Sequence, residues 1–466
     1  MQKIINLENF PSIKKKFKSK KIIMAHGVFD YLHIGHLRYF KQCKEYAEIL
    51  IVSVTADKFV NKGLNKPYFN EYLNYYAKGY DYKNSIYNDK NLKKEVSSVK
   101  RYRGKFLILK DIQHSSSKII NSNFLEYSNN QSKIIEKIRN KKLNLDKELN
   151  KLKSKRILLV GEAILDEFTY VKSLGKSRKN NLISTRYMKN EIQHGGALFI
   201  LKNLKEYFKK IDYLSFGTEE NHIYLKKNYK NIIPIKCTNN QIIRKKRFVD
   251  FYNFNKIFQL NTNDQINIEK SEYNKAIKKI KEISKNYDAI VICDFGHGLI
   301  SNDFLKFLNN FKIKKFINCQ ANSSNFGFNR FYKFKEAELL SSDEDEFRLT
   351  NNNDISNILN IYKENQKFLT KYKNLYVTAG KNGCYLFNKK NKIFVESLVV
   401  NNFIDSIGSG DVYFSYLIIL YFLKNFEIDE KMLICHLASS LHSQSFANSN
   451  VISKSQFIKY IKNLIL

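Results

Sequence analysis

Asp405-Ser406-Ile407-Gly408-Ser409-Gly410-Asp411 is the stretch on which the reading of this chain turns, with the apolar run Val412-Tyr413-Phe414-Ser415-Tyr416-Leu417-Ile418-Ile419-Leu420 behind it. Two glycines and a serine let the backbone come close to an anion, and the run that follows predicts a buried helix. A glycine loop entering a helix offers unpaired N–H groups at the positive end of the helix dipole, which together make a phosphate site. Asp411, at the expected helix start, reads as an N-cap, as a general base that takes the proton of an attacking hydroxyl, or as both. Alone, the pattern also fits a plain capped turn, so the flanking chain has to decide.

A length of 466 residues predicts two or three domains, and the apolar share suits a globular chain with real cores. No apolar run is long enough to cross a membrane, and the first residues lack the apolar core of a signal peptide, so a cytoplasmic protein with no membrane partner is expected. Six cysteines without a C-x-x-C pair argue for a reducing compartment and against a disulfide framework or a zinc site. The net charge of +36 suggests nucleic acid, but the lysines are spread along every segment among asparagine, isoleucine and tyrosine. A nucleic-acid footprint needs charge gathered in a patch, so no nucleic-acid partner is expected and binding to nucleic acid stays a remote alternative. The charge would still favour anionic small substrates. With only 17 glycines in the chain, each glycine motif carries more weight.

From the N-terminus, residues 21–29 predict a buried strand running into a turn, residues 37–46 a helix, and residues 49–54 a second strand. Strand, loop, helix and strand make a parallel βαβ unit whose loop lies at the ligand-binding end of the sheet. The loop reads G-x-F-D-x-x-H-x-G-H from Gly27 to His36, including Phe29, Asp30, His33 and Gly35. Two imidazoles around a glycine at a helix start can contact a triphosphate and stabilise charge on the attacked phosphorus.

This loop resembles the signature of cytidylyltransferase-like nucleotidyltransferases. Val52 to Gly63 and Gly79-Tyr80-Asp81-Tyr82-Lys83 are similar to later family segments, and Ser115-Ser116-Ser117-Lys118 to the motif that helps hold the nucleotide phosphates. The resemblance covers roughly residues 20–122 and implies a Rossmann-like domain with His33 and His36 catalytic, using ATP or CTP with Mg2+. Its relatives carry a helix and a strand between the segments matching Phe69-Asn70-Glu71 and Gly79-Tyr80-Asp81, where only Tyr72 to Lys78 stand here. A parallel crossover takes about a dozen residues or more, so a shortened sheet is expected. Residues 124–153 hold most of a mixed charge run with Ile and Leu at helical spacing, which predicts a linking helix without chemistry.

From residue 154 strands alternate with helices, an α/β pattern with sites at strand C-terminal ends. The segments are Ile157 to Asp166, Gly195-Gly196, the basic cluster Arg244-Lys245-Lys246-Arg247, residues 289–294 and Leu375 to Gly383. The cluster reads equally as a solvated strand face or as a phosphate contact. His297, His436 and His442 have no metal-ligand spacing and predict core or surface roles.

This half resembles the ribokinase-like (PfkB) carbohydrate kinases. The resemblance implies that Asp166, Gly195 and Gly196 bind the sugar, and that Thr378, Gly380, Gly408, Ser409 and Gly410 bind nucleotide and phosphoryl oxygens. It further implies that Asp411 is the base and that Glu346, in Asp343-Glu344-Asp345-Glu346, acts indirectly on Mg2+; the first position of that element is Asp here in place of the family's Asn. The expected domains are thus a nucleotidyltransferase at 1–123, a linker at 124–153 and a kinase at 154–466. Together they resemble the bifunctional ADP-heptose synthases with the domains in the opposite order. That implies ATP-dependent phosphorylation of a sugar or sugar phosphate, then nucleotidyl transfer onto a sugar 1-phosphate; a kinase with a non-catalytic transferase domain is the alternative. Partners would be sugar and nucleoside triphosphate, with a homo-oligomer allowed.

Overall fold

The computed structural model describes residues 17, 19–27, 34–54, 75–79, 96–97, 105–109, 127–177, 180–322, 325, 327–398 and 403–465. The chain divides into two compact units, residues 1–126 with 466, and Tyr127–Ile465.

In the first unit β1 (Ile22–Gly27) leads to α1 (Ile34–Tyr46) and β2 (Ile49–Val54), followed by β3 (Tyr75–Gly79) and β4 (Lys105–Leu109). The sheet order is β2-β1-β3-β4, with every pairing parallel. The apolar run of β1 is continuous because both its faces are covered. Ile23 and Ala25 meet Cys43 of α1 and Ala47 just after it, and Ile22 and Met24 face the other way. From Tyr75 the short segment after Glu71 is itself the strand beside β1. Among the described residues β2 forms a sheet edge, with Val52 and Val54 40% and 61% exposed.

The second unit is built on a nine-stranded sheet. Its strands are β5 (Arg156–Gly161), β8 (Lys210–Gly217), β9 (Ile232–Lys236), β12 (Ala289–Asp294), β13 (Lys315–Cys319), β14 (Leu339–Asp343), β15 (Leu375–Thr378), β16 (Cys384–Phe387) and β17 (Lys392–Val395). The order is β17-β16-β15-β14-β13-β12-β5-β8-β9, parallel from β15 to β9, with β16 and β17 antiparallel at one edge. Ile157 and Leu159 of β5 enter one core, Leu158 and Val160 the other, so the unbroken Ile-Leu-Leu-Val run reflects helices on both faces. On the first side lie α2 (Asn129–Asn140), α3 (Ala197–Leu204), α5 (Ser409–Tyr421) and α6 (Ile428–His442); α4 (Glu344–Asn351) follows β14 on the second. The Val412–Leu420 run is buried at every position in α5, as its all-round apolar character predicts.

α2 starts at a capping box between Ser128 and Gln131 and buries Ile134, Ile135 and Ile138 in the core of this unit. Lys141 reaches Glu430 of α6 at 2.6 Å. The charged segment therefore belongs by its packing to the second unit from Tyr127 onward.

A smaller sheet, ordered β11-β10-β6-β7, is made of β6 (Ala163–Lys176), β7 (Ile183–Gly196), β10 (Ile243–Asp250) and β11 (Lys256–Thr262). Only Glu162 separates β5 from β6, so the chain leaves the main sheet at its C-terminal end and enters the small one there. Phe168, Tyr170 and Val249 close one face of the small sheet over Phe446, Ala447 and Ile407.

Candidate active site

The C-terminal ends of β5, β12, β13, β14 and β15 point to the same end of the parallel sheet, and strand order reverses beside β5, where a crevice forms in open α/β sheets. Gly408 is the N-cap of α5 with φ 80°, a conformation that suits glycine. A Cβ there would stand 2.0 Å from Asn448 Oδ1. Asp411 lies in the first turn but is not the cap, which is Gly408. Asn318, near the end of β13, and Gln320, just past it, each donate a side-chain N–H to Asp411 Oδ1, at 3.1 and 3.0 Å. The N-cap reading is corrected accordingly: the carboxylate is held by neighbours from the main sheet. Burial pushes its pKa up to about 7, with Asp166 pushing the same way and the two amide donors and Lys245 opposing. A buried carboxylate poised near neutrality can accept a proton from a hydroxyl.

Asp411 borders a cleft of about 170 Å³, lined also by Gln320, Glu346, Thr378, Gly408 and Gly410. Space is open beside Gly410, where a Cβ would meet nothing within 4 Å, and the buried Ser409 Oγ has no hydrogen-bond partner among the described residues. His442 supports the loop from behind, its Nε2 2.9 Å from the carbonyl oxygen of Ile407, and burial lowers its pKa so that the ring is neutral. Gly380, φ 51°, lies past the end of β15 and does not line this cleft.

Glu346 is committed to structure. Its Oε2 accepts from the backbone of Asp343 at 2.8 Å and from Ser342 Oγ at 3.3 Å, and its Oε1 accepts from Ala321 N at 2.9 Å. Burial and the neighbouring Asp343 push its pKa up to about 8. Such a carboxyl fits Mg2+ only through water. Among the described residues no group of three or more His, Cys, Asp or Glu side chains could hold a metal directly.

Asp166 is buried on β6, paired with Arg247 of β10 at 2.5 Å and accepting from Asn448 Nδ2 at 3.4 Å. Gly195 lies against it, because a Cβ there would be 2.2 Å from Asp166 Oδ2. Gly196, φ 56°, begins α3 where a side chain would strike the Glu162 carbonyl at 2.6 Å. Asp166, Gly195 and Gly196 are therefore one spot, reached through the antiparallel pairing of β6 and β7.

In the first unit Gly27 ends β1, while Gly35 and His36 lie in the first turn of α1. Phe29, Asp30, His33, Ser115, Ser116 and Ser117 lie outside the described residues. His297 and His436 hold the backbone carbonyls of Asp264 and Val395 at 2.8 and 3.1 Å, which makes them structural. Sequence reasoning missed Asn318, Gln320, Gln193 and Asn448; the rule that sites gather at strand C-terminal ends could have flagged the first two.

A cytidylyltransferase-like family model matches residues 24–190, and a model for the pfkB family of carbohydrate kinases matches residues 330–423. The first match runs past Tyr127 into β5, β6 and part of β7, beyond the unit that holds the G-x-F-D-x-x-H-x-G-H loop. Bifunctional protein HldE of Geobacter metallireducens is 36% identical over 73 residues, and that of Helicobacter hepaticus 39% over 67. These matches fall in the N-terminal part, and the chain spans only about 15% of the length of the first relative and 14% of the second. Phosphofructokinase-2 from Escherichia coli, solved in complex with substrates and products, superposes with a TM-score of 0.53 at 13% identity, covering 66% of this chain and 99% of that one. At that identity the likeness concerns the fold. The chain thus carries a cytidylyltransferase-like segment followed by a PfkB carbohydrate-kinase segment, both from transferase families, with the second on a ribokinase-like α/β fold.

Proposed function

We propose that the second unit transfers the γ-phosphoryl group of ATP to a hydroxyl of a sugar or sugar phosphate, and that the first unit transfers a nucleotidyl group from ATP or CTP onto the resulting sugar 1-phosphate. The observation that carries the kinase reading is Asp411, a buried carboxylate near neutrality at the mouth of a glycine loop, with Asp166 and two glycines beside it. Asp166 orients the acceptor, Gly195 leaving room for it. Asp411 takes the hydroxyl proton as the new O–P bond forms. The bond from the γ-phosphorus to the β-phosphate oxygen breaks, ADP leaves, and the N–H groups of Gly408 to Gly410 hold the transferred oxygens. Mg2+ would neutralise nucleotide phosphate charge near Glu346, through water. In the first unit His33 and His36 would stabilise charge on the attacked α-phosphorus as pyrophosphate departs. The product would be a nucleotide-activated, heptose-like sugar.

A second reading keeps the kinase and makes the first unit non-catalytic. It is favoured by the short segment after Glu71 and by the exposed edge strand β2. A screen of sugars and heptose phosphates with ATP·Mg2+, following ADP and then pyrophosphate, separates the two. Both products support the bifunctional reading, ADP alone supports the second, and neither overturns both.

A further inference from the structure

The four consecutive cations of β10 are divided by strand alternation. Arg244 and Lys246 point to one face, where Glu167 lies 3.9 and 3.2 Å away. Lys245 and Arg247 point to the other. Arg247 is taken by Asp166. Lys245 stands directly opposite Asp166 in the parallel register, and its ammonium has no ion pair or hydrogen bond among the described residues. Burial lowers its pKa, while Asp166, Glu162 and Asp411 pull it back up.

Two further groups at this place are unsatisfied. Gln193, opposite Asp166 on β7, uses its amide N–H on Glu191 at 2.8 Å and leaves its buried Oε1 without a donor among the described residues. Asn448 bonds Asp166 through Nδ2 and leaves its buried Oδ1, against Gly408, without a donor among the described residues. A largely enclosed ammonium without a direct partner among the described residues and two orphaned acceptors are costly, and one ligand bearing both negative charge and hydroxyls would satisfy all three.

We propose that Lys245 holds a phosphate group near Asp166 and Asp411, while Gln193 Oε1 and Asn448 Oδ1 accept hydrogen bonds from hydroxyls of the acceptor. This rests on the phosphoryl-transfer reading above. The phosphate can come from two sources of the same chemistry: one carried by the acceptor, or the phosphoryl group arriving from the nucleotide.

The test uses the full chain and inorganic phosphate as probe, reading the thermal midpoint as phosphate rises, since a ligand that binds only the folded state raises it by mass action. Wild type should be stabilised. Lys245→Met should weaken apparent phosphate affinity at least about tenfold, Lys245→Arg should retain most of it, and Lys246→Met, the same charge change on the opposite face, should behave as wild type. Equal losses in Lys245→Met and Lys246→Met, or no stabilisation of wild type, overturn the proposal. Saturating AMP-PNP with Mg2+ separates the sources: phosphate still binding assigns Lys245 to the acceptor's phosphate, and phosphate excluded assigns it to the transferred group. Asp411→Asn should bind phosphate at least as well as wild type while losing turnover, so failure of the Lys245 assignment is distinguishable from failure of the kinase reading.

Discussion

Asp411 is the residue whose environment makes the strongest demand. Asparagine in its place keeps the shape and can still accept from Asn318 or Gln320, but it cannot take a proton. Asp411→Asn should cut kcat for phosphoryl transfer by about a hundred- to ten-thousandfold, with ATP affinity nearly unchanged. Turnover within a few-fold of wild type would sink the assignment. The raised pKa adds a second signature. Activity needs the ionised base, so kcat of the wild type should fall as pH drops through about 7. Stability moves the other way. The unfolded carboxyl ionises near its ordinary value of 3.8 while the folded one holds its proton to about 7, so the folded state binds more protons in that window and loses stability as pH rises through it. Asp411→Asn should therefore melt above wild type at pH 8, with the difference vanishing near pH 4; a pH-independent difference would contradict the burial argument. The loop glycines give a sharper steric contrast. Gly408→Ala forces a left-handed φ on alanine and drives its Cβ into Asn448, whereas Gly410→Ala meets open space. The first should lower the thermal midpoint, by the equivalent of about 1–3 kcal/mol or more, and the second should barely move it. Equal midpoints would refute the geometry of the loop.

Among the elements, α1 and α5 show how much could be read before any coordinates. An apolar run behind a glycine loop can only be a helix buried on all sides, and α5 lies between α3 and α6 as that demands. Strand β5 was equally legible, because an unbroken Ile-Leu-Leu-Val run fits a sheet covered on both faces. What the sequence could not convey is which neighbours a strand acquires. Arg244 to Arg247 look like one basic patch until β10 is laid in register against β6, which sends alternate side chains to Glu167 and Asp166. Asp405, read as part of the anion loop, is paired to Lys256 of β11 at 2.8 Å, a partner 149 residues away. Long-range pairing of this kind has no local signature. For the first unit the prediction concerns independence. His36 belongs to α1, in a unit separate from Asp411, so His36→Ala should abolish pyrophosphate release and leave ADP formation within about twofold of wild type. Loss of ADP formation in a folded variant would show that the two chemistries share a site.

At the scale of the whole molecule the small sheet leaves one face unexplained. On the face opposite Asp166, Ile192, Phe258 and Leu260 are 46%, 56% and 50% exposed, and Phe248 stacks on Phe258 at 4.3 Å. An apolar stretch with Arg244, Lys246 and Glu167 beside it resembles in composition the surfaces through which chains associate. The pairing of opposite charges within it lets the patch meet its own copy without like-charge conflict, as a two-fold interface requires. The chain should therefore run as a homodimer through this face in light-scattering chromatography at micromolar concentration. Phe258→Lys combined with Leu260→Lys adds like charges on both sides of the two-fold and should shift the protein to monomer. Because the same strands carry Asp166, Lys245 and Arg247 on their other face, the monomeric variant should also show a raised KM for the sugar acceptor. A wild-type monomer, or a double variant that stays dimeric, would place the contact elsewhere or remove it.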